Sequence, residues 1–288
     1  MLPMYIYYSM FGFQRVGDEI WAAADSRSRG FLFGATAGRT TLSGEGLQHQ
    51  DGTSHLVAST VPNCRAYDPC FAYELAVILE DGMRRMLDKQ EDVFYYVTLM
   101  NESYAMPSMP EGAREGILQG MYKVRGSTRR EKAEVRLLGS GTILNEVLAA
   151  AELLERDWDI GADVHSVTSF TELRRNGMGV SRASRFQLSP APCWVQTQLP
   201  KTGAPVVAAS DYVSAVGDLI RPWIGDSYTV LGTDGFGRSD TRAKLRKFFE
   251  VDRHAIVAAA LHALGDARLG EAMGRYGIDP QATPPWTR

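Results

Sequence analysis

Cysteine is scarce in this 288-residue chain: Cys64, Cys70 and Cys193 are the only three, widely spaced and without a CxxC pair. An odd, scattered set supports neither a disulfide framework nor a zinc site, and it fits a reducing, cytoplasmic compartment. Charge of one sign is lacking too. The 31 basic and 34 acidic residues leave a formal charge of −3, so no basic field favours nucleic acid or an anionic membrane as the main ligand. No apolar run is long enough to span a bilayer. The opening MLPMYIYYSMFGF lacks the positive n-region of a signal peptide, and Arg15, Asp18 and Glu19 interrupt before the small residues at 22–24. A dinucleotide fingerprint is missing as well. Gly139, Ser140 and Gly141 lie between a strand and a helix without GxGxxG spacing, which reads as a tight connection, and no nicotinamide is expected.

What is present is ordinary globular composition, 44% apolar and 23% charged, in a length that suggests two domains. Periodicity predicts a buried strand over 4–10 and a helix over 13–24, then a strand and turn over 30–42. A domain seldom starts inside its central sheet, so this beginning hints at a missing neighbour. An amphipathic helix is expected over 68–87, with Pro69 near its first turn, then a strand over 93–100 and a proline-bearing loop over 101–112. The charged GSTRREKAE at 126–134 separates two blocks of hydrophobic periodicity and is the best domain boundary. Beyond it, strands at 135–138, 162–167, 206–209 and 228–231 alternate with helices at 143–156, 212–223, 241–249 and 252–264. That alternation implies an open, mainly parallel α/β layer.

The segment GEGLQHQDGTSH at 44–55 concentrates chemistry, with three glycines, two carboxylates and two of the five histidines. Glycine lets the backbone approach a ligand closely, and His49 titrates near neutrality, so proton-linked chemistry is one reading. A polar surface loop with a hydrogen-bonded histidine is the other. Tyr8 and Phe11, read from the strand alone, are core aromatics. His165, His254 and His262 read as structural, His55 is left open, and Cys64 and Cys193 read as small buried hydrophobes.

Several strings change that balance. YIYYSMFGFQR, GRTTL, GEGLQHQDG, SVTSFTELRR and GTDGFGRSD occur in the order in which the homodimeric type of the first, decarboxylating component of the pyruvate dehydrogenase complex carries them. The chain resembles the last third of that family from its first residue to about Asp279. The resemblance implies a transketolase-like thiamine diphosphate enzyme fold. Residues 1–125 would be the later part of a pyrimidine-binding domain truncated at its N-terminus, 126–134 a linker, and 135–288 the C-terminal domain. It also implies roles: Phe11 packs on the aminopyrimidine of thiamine diphosphate, Tyr8 reaches the substrate-derived adduct, and His49 hydrogen-bonds the same adduct. Thr53 departs from the family pattern, standing where relatives carry another histidine.

In this family the glutamate that protonates the pyrimidine ring, and the domain holding the diphosphate and Mg2+, lie upstream of the matched region. Those ligands are therefore expected on a partner chain or missing domain. The implied reaction is oxidative decarboxylation of pyruvate, with the two-carbon unit passed to a lipoyl group on the acyltransferase component. Alternatives are a split two-carbon transferase of specialised metabolism serving a carrier protein, or a catalytically silent fragment that is at most a binding module. The strand edge left open by the missing part is expected to favour an oligomer.

Overall fold

The computed structural model describes residues 1–129, 131–186 and 191–287. The expected linker at 126–134 and the expected domain at 135–288 include residues 130, 187–190 and 288, which lie outside the described residues. The chain begins with β1 (Met4–Tyr8), a 3-10 turn over Ser9–Phe11, and α1 (Phe13–Asp25). Next come β2 (Phe31–Ala35), α2 (Ser54–Ala58), β3 (Cys64–Tyr67), α3 (Ala72–Met83) and β4 (Phe94–Leu99). The four strands form one parallel sheet in the order β1-β2-β4-β3. Central β4 is FYYVTL, β-branched and aromatic, with all but its last residue buried, as a strand covered on both faces requires.

Two expectations about this layer are corrected. β1 is shorter than expected and is not buried: it is an edge strand, with Tyr5 and Ile6 61% and 63% exposed. It pairs with β2 alone, so its outer edge has no strand beside it among the described residues. The helix expected over 68–87 starts instead at Ala72 and passes into a π turn over Arg84–Asp88. The cause at its start is Glu74, whose carboxylate accepts the backbone N–H of Cys70 at 2.6 Å and of Phe71 at 3.0 Å and so satisfies two leading donors.

A short helix, α4 (Ala113–Gln119), leads to β5 (Tyr122–Arg125), which belongs to the second sheet. That sheet continues with β6 (Val135–Gly139), α5 (Ile143–Asp157), β7 (Ala162–Ser166), α6 (Phe170–Arg185), α7 (Trp194–Gln198) and β8 (Val206–Ala209). It ends with α8 (Ser214–Gly217), β9 (Tyr228–Leu231), α9 (Arg242–Phe248), α10 (Arg253–Leu264) and α11 (Leu269–Tyr276). The order is β5-β7-β6-β8-β9, parallel throughout except for β5, which runs antiparallel to β7. The mainly parallel α/β layer expected from the alternation is thus present. One helix was expected over 212–223; α8 instead gives way to a 3-10 turn over Asp218–Trp223 that contains Pro222, which has no N–H to continue an α-helical ladder.

One face of the second sheet packs Val147, Ala150 and Leu154 of α5 against Ile256, Val257 and Leu261 of α10, all fully buried. Its other face packs Leu138 and Ala208 against Phe170 and Leu173 of α6 and Val195 of α7. The two layers are joined through buried polar groups. Glu74 of α3 also accepts the Tyr122 and Ser166 hydroxyls, each at 2.6 Å, and the Asp68 and Gly141 backbones bond across the junction. Among the described residues no helix is long and apolar enough to cross a membrane.

Candidate functional site

β1 delivers Tyr8 to the carboxyl end of the first parallel sheet, and the 3-10 turn that follows swings Phe11 beside it. The Tyr8 and Phe11 ring centroids are 5.6 Å apart. The loop after β2 brings His49 to both, 5.7 Å from Tyr8 and 5.2 Å from Phe11. The three rings singled out from the sequence therefore form one tilted aromatic triangle. Tyr8 is 44% exposed, the His49 side chain is a quarter exposed, and Phe11 is half-buried. The Arg15 guanidinium lies over the Phe11 ring, 4.1 Å from its centroid, a favourable cation–π placement.

The His49 Nδ1 is buried and faces Glu45 Oε2 at 3.4 Å, without a well-formed hydrogen bond among the described residues. Gly44 and Gly46 shape the approach, with φ of +86° and +81° that disfavour other residues.

The loop is held on both sides by residues of the strings quoted above. Gln50 donates through Nε2 to the carbonyls of Leu42 (2.7 Å) and Arg238 (2.8 Å) and accepts the Arg238 N–H at 2.7 Å. Asp211, buried after β8, accepts the Thr40 and Thr41 N–H groups at 2.8 and 2.9 Å and the Thr41 hydroxyl at 2.6 Å. Arg39 donates to the carbonyls of Thr233 and Gly235, and Arg242 Nε donates to the Thr41 carbonyl at 2.7 Å. GRTTL and GTDGFGRSD are thus two halves of one lock, which the sequence presents as separate segments.

His55 and Thr53 lie elsewhere in the hydrogen-bond scheme. His55 is buried on α2, its Nε2 3.3 Å from Thr98 Oγ1 and 4.0 Å from Asp68 Oδ1, with its ring edge-on to Tyr212 at 4.7 Å. Burial pushes its pKa down to about 4, so it is a neutral interior imidazole. Thr53 Oγ1 accepts from Gln14 Nε2 at 2.7 Å. Cys64 and Cys193, read as small hydrophobes, are free and buried, as is Cys70.

The sequence reading missed Ser9, Gln14 and Asp51, which are hydrogen-bonded together between the segments that carry the triangle. Asp51 Oδ1 accepts the N–H groups of Thr53 and Ser54, each at 3.0 Å, and a bond from Gln14 Nε2 at 3.2 Å, while Oδ2 accepts the Ser9 hydroxyl. The signal was available in Asp51-Gly52-Thr53-Ser54, a short polar residue placed to cap a helix start. A cavity of about 880 Å3 is lined by Glu45, Leu47, Gln48, Phe236, Arg238 and Lys244 among others, and none of the three rings lines it.

Two joined, largely parallel α/β layers in this order make a transketolase-like fold. A transketolase from Leishmania mexicana superposes with a TM-score of 0.70 at 18% identity, covering 99% of this chain and 36% of that one. A split-gene transketolase, an inactive β4 tetramer, superposes with a TM-score of 0.63 at 17% identity, covering 92% of this chain and 77% of its own. These likenesses concern the fold. By sequence the chain matches the C-terminal part of pyruvate dehydrogenase E1 components. Residues 1–107 match the pyruvate dehydrogenase E1 component middle domain, and residues 120–252 match the transketolase-like C-terminal domain. The chain is 56% identical over 294 residues to a pyruvate dehydrogenase E1 component of Pseudomonas aeruginosa, and 50% over 295 residues to one of Escherichia coli K12. Each alignment covers 99% of this chain and 33% of the relative, so the chain spans about a third of the length of the curated relatives it matches.

Proposed function

We propose that this chain forms part of a thiamine diphosphate-dependent, pyruvate-decarboxylating component that passes a two-carbon unit to a lipoyl group. The observation that carries this reading is the convergence of Tyr8, Phe11 and His49, from a turn and a loop well separated in sequence, into one partly open triangle. The residues suit the cofactor. An aromatic face at Phe11 can stack on a flat aminopyrimidine, and the partly exposed His49 imidazole can exchange a hydrogen bond with a substrate oxygen. Thiamine diphosphate, when bound, would supply a carbon nucleophile. Phe11 would orient its ring, Tyr8 and His49 would hold the substrate oxygen that gains charge, and Arg15 would keep the Phe11 ring in place.

Among the described residues no group of three or more His, Cys, Asp or Glu side chains could hold a metal ion. In this reading the diphosphate and Mg2+ ligands and the ring-protonating glutamate come from a partner chain carrying the diphosphate-binding domain. The assembly works in the cytoplasm with a lipoyl-bearing acyltransferase. The first layer is the later part of the pyrimidine-binding domain and the second is the C-terminal domain.

The test is pyruvate-dependent reduction of an artificial electron acceptor with thiamine diphosphate and Mg2+, for this chain alone and mixed with a chain bearing the diphosphate-binding domain. Activity is expected in the mixture and should fall about 100-fold or more in His49→Ala, the usual range for a positioned proton-transfer group. An inactive mixture with no calorimetric cofactor binding would overturn the proposal and leave a silent binding module.

A further inference from the structure

The triangle is assembled from two segments, and its dimensions depend on what holds them together. Tyr8 and Phe11 flank Ser9, whose side chain is fully buried and whose hydroxyl donates to Asp51 Oδ2. Asp51, also fully buried, follows His49 by two residues. One carboxylate therefore connects the segment bearing two of the rings to the segment bearing the third.

Its remaining contacts make it a rigid clasp. Oδ1 accepts from Thr53 N, Ser54 N and Gln14 Nε2, so the carboxylate is tied to the start of α2 and the start of α1. The Ser9 hydroxyl is also 2.8 Å from Tyr96 OH on central β4, and the Ser54 hydroxyl contacts the Ser9 carbonyl at 3.4 Å. The fold leaves room for this meeting. A Cβ at Gly34 of β2 would stand 3.0 Å from Ser9 Oγ and 2.6 Å from Tyr96 OH. A carboxylate suits the position because four donors point at it; an amide would turn an NH2 group toward one of them. Four hydrogen bonds to one buried carboxylate restrict its rotamer and transmit that restriction to both segments.

We infer that Asp51, acting through Ser9, is a positioning residue of this site, setting the separation of His49 from the Tyr8–Phe11 pair without touching substrate. The inference rests on the reading of the three rings as the functional site.

The experiment uses the isotopically labelled chain and three variants, Ser9→Ala, Asp51→Asn and Ser166→Ala. Ser166→Ala also removes a buried hydroxyl bond, the 2.6 Å bond to Glu74, but at the junction of the layers. Ring-to-ring nuclear Overhauser contacts among Tyr8, Phe11 and His49 should be weakened or lost in Ser9→Ala and Asp51→Asn and kept in Ser166→Ala, even where melting temperatures fall by similar amounts. In the reconstituted assay, kcat of the first two variants should fall about tenfold or more with KM for pyruvate changed less than twofold, and Ser166→Ala should match the parent. If Asp51→Asn does not fold, Ser9→Ala decides alone, since it removes a single oxygen. Intact ring contacts in Ser9→Ala would overturn the inference. Loss of those contacts alongside an inactive parent mixture would uphold the clasp and overturn the decarboxylase reading; intact contacts with an active mixture would do the reverse.

Discussion

His165 sits on β7 with its side chain buried and neither ring nitrogen hydrogen-bonded among the described residues. Burial, reinforced by the nearby Lys123 and Arg136 cations against the opposing Asp163, pushes its pKa down to about 3 from an ordinary 6.5. The fold holds it neutral, so the unfolded chain binds the extra proton as pH falls below 6.5. Its contribution is complete above that value and is lost progressively toward pH 3. Denaturant melts at pH 7 and pH 5 should show His165→Leu losing about 2 kcal/mol less stability than the parent over that interval. Asp68 has the opposite sign. Burial, with Asp211 nearby, raises it to about 7, its Oδ1 receives the Thr98 hydroxyl at 2.5 Å, and Oδ2 has no partner among the described residues. The fold favours the protonated acid, whose contribution is complete below 3.8 and is lost as pH rises through 7. The stability of Asp68→Asn relative to the parent should therefore rise by roughly 3 kcal/mol between pH 5 and pH 8.

At the scale of elements, the exposed strand β1 has the largest consequence. Met4, Tyr5, Ile6 and Tyr8 are 54%, 61%, 63% and 44% exposed along an edge that pairs with no second strand among the described residues. An apolar open edge of that kind pairs with other chains. We expect the isolated chain to associate at micromolar concentration, and Ile6→Lys to move it toward monomer in sedimentation velocity. A monomeric parent would refute this. Elements also differ in how legible they are. β4, β6, β8 and α5 stand out because their apolar residues follow strand or helix periods. α6 does not: Gly177 and Gly179 interrupt it and arginines crowd it, yet it forms because Gly177 lets the Trp223 ring approach so closely that a Cβ would be 2.5 Å away. β3, with the sequence CRAY, and β5 are short and mixed, and each is a strand only because a neighbour pairs with it.

For the whole molecule the junction between the layers governs cooperativity. Glu74 accepts four hydrogen bonds, two from its own helix start and two from Tyr122 and Ser166 of the second sheet. Removing it leaves buried donors unpaired on both layers. Glu74→Ala should cost about 3 kcal/mol or more and lower the melting temperature of both layers together, followed by tryptophan fluorescence and calorimetry. Two separated transitions in the parent would show that the layers unfold independently.

Local sequence by itself determined the α/β class, most of the long helices and strands, and, through strings such as YIYYSMFGFQR and GEGLQHQDG, the resemblance to pyruvate dehydrogenase E1 components and the choice of three rings that the structure brings together. It did so because apolar periodicity and glycine placement act over a few residues, where side-chain chemistry is read directly. Only the tertiary structure decided that β1 is an edge, that β5 crosses into the second sheet, and that Asp51 clasps Ser9. Those outcomes depend on which backbone edge is left unpaired and on which buried donors find an acceptor far away in sequence, and hydrogen-bond satisfaction in a packed interior is settled by the whole chain at once.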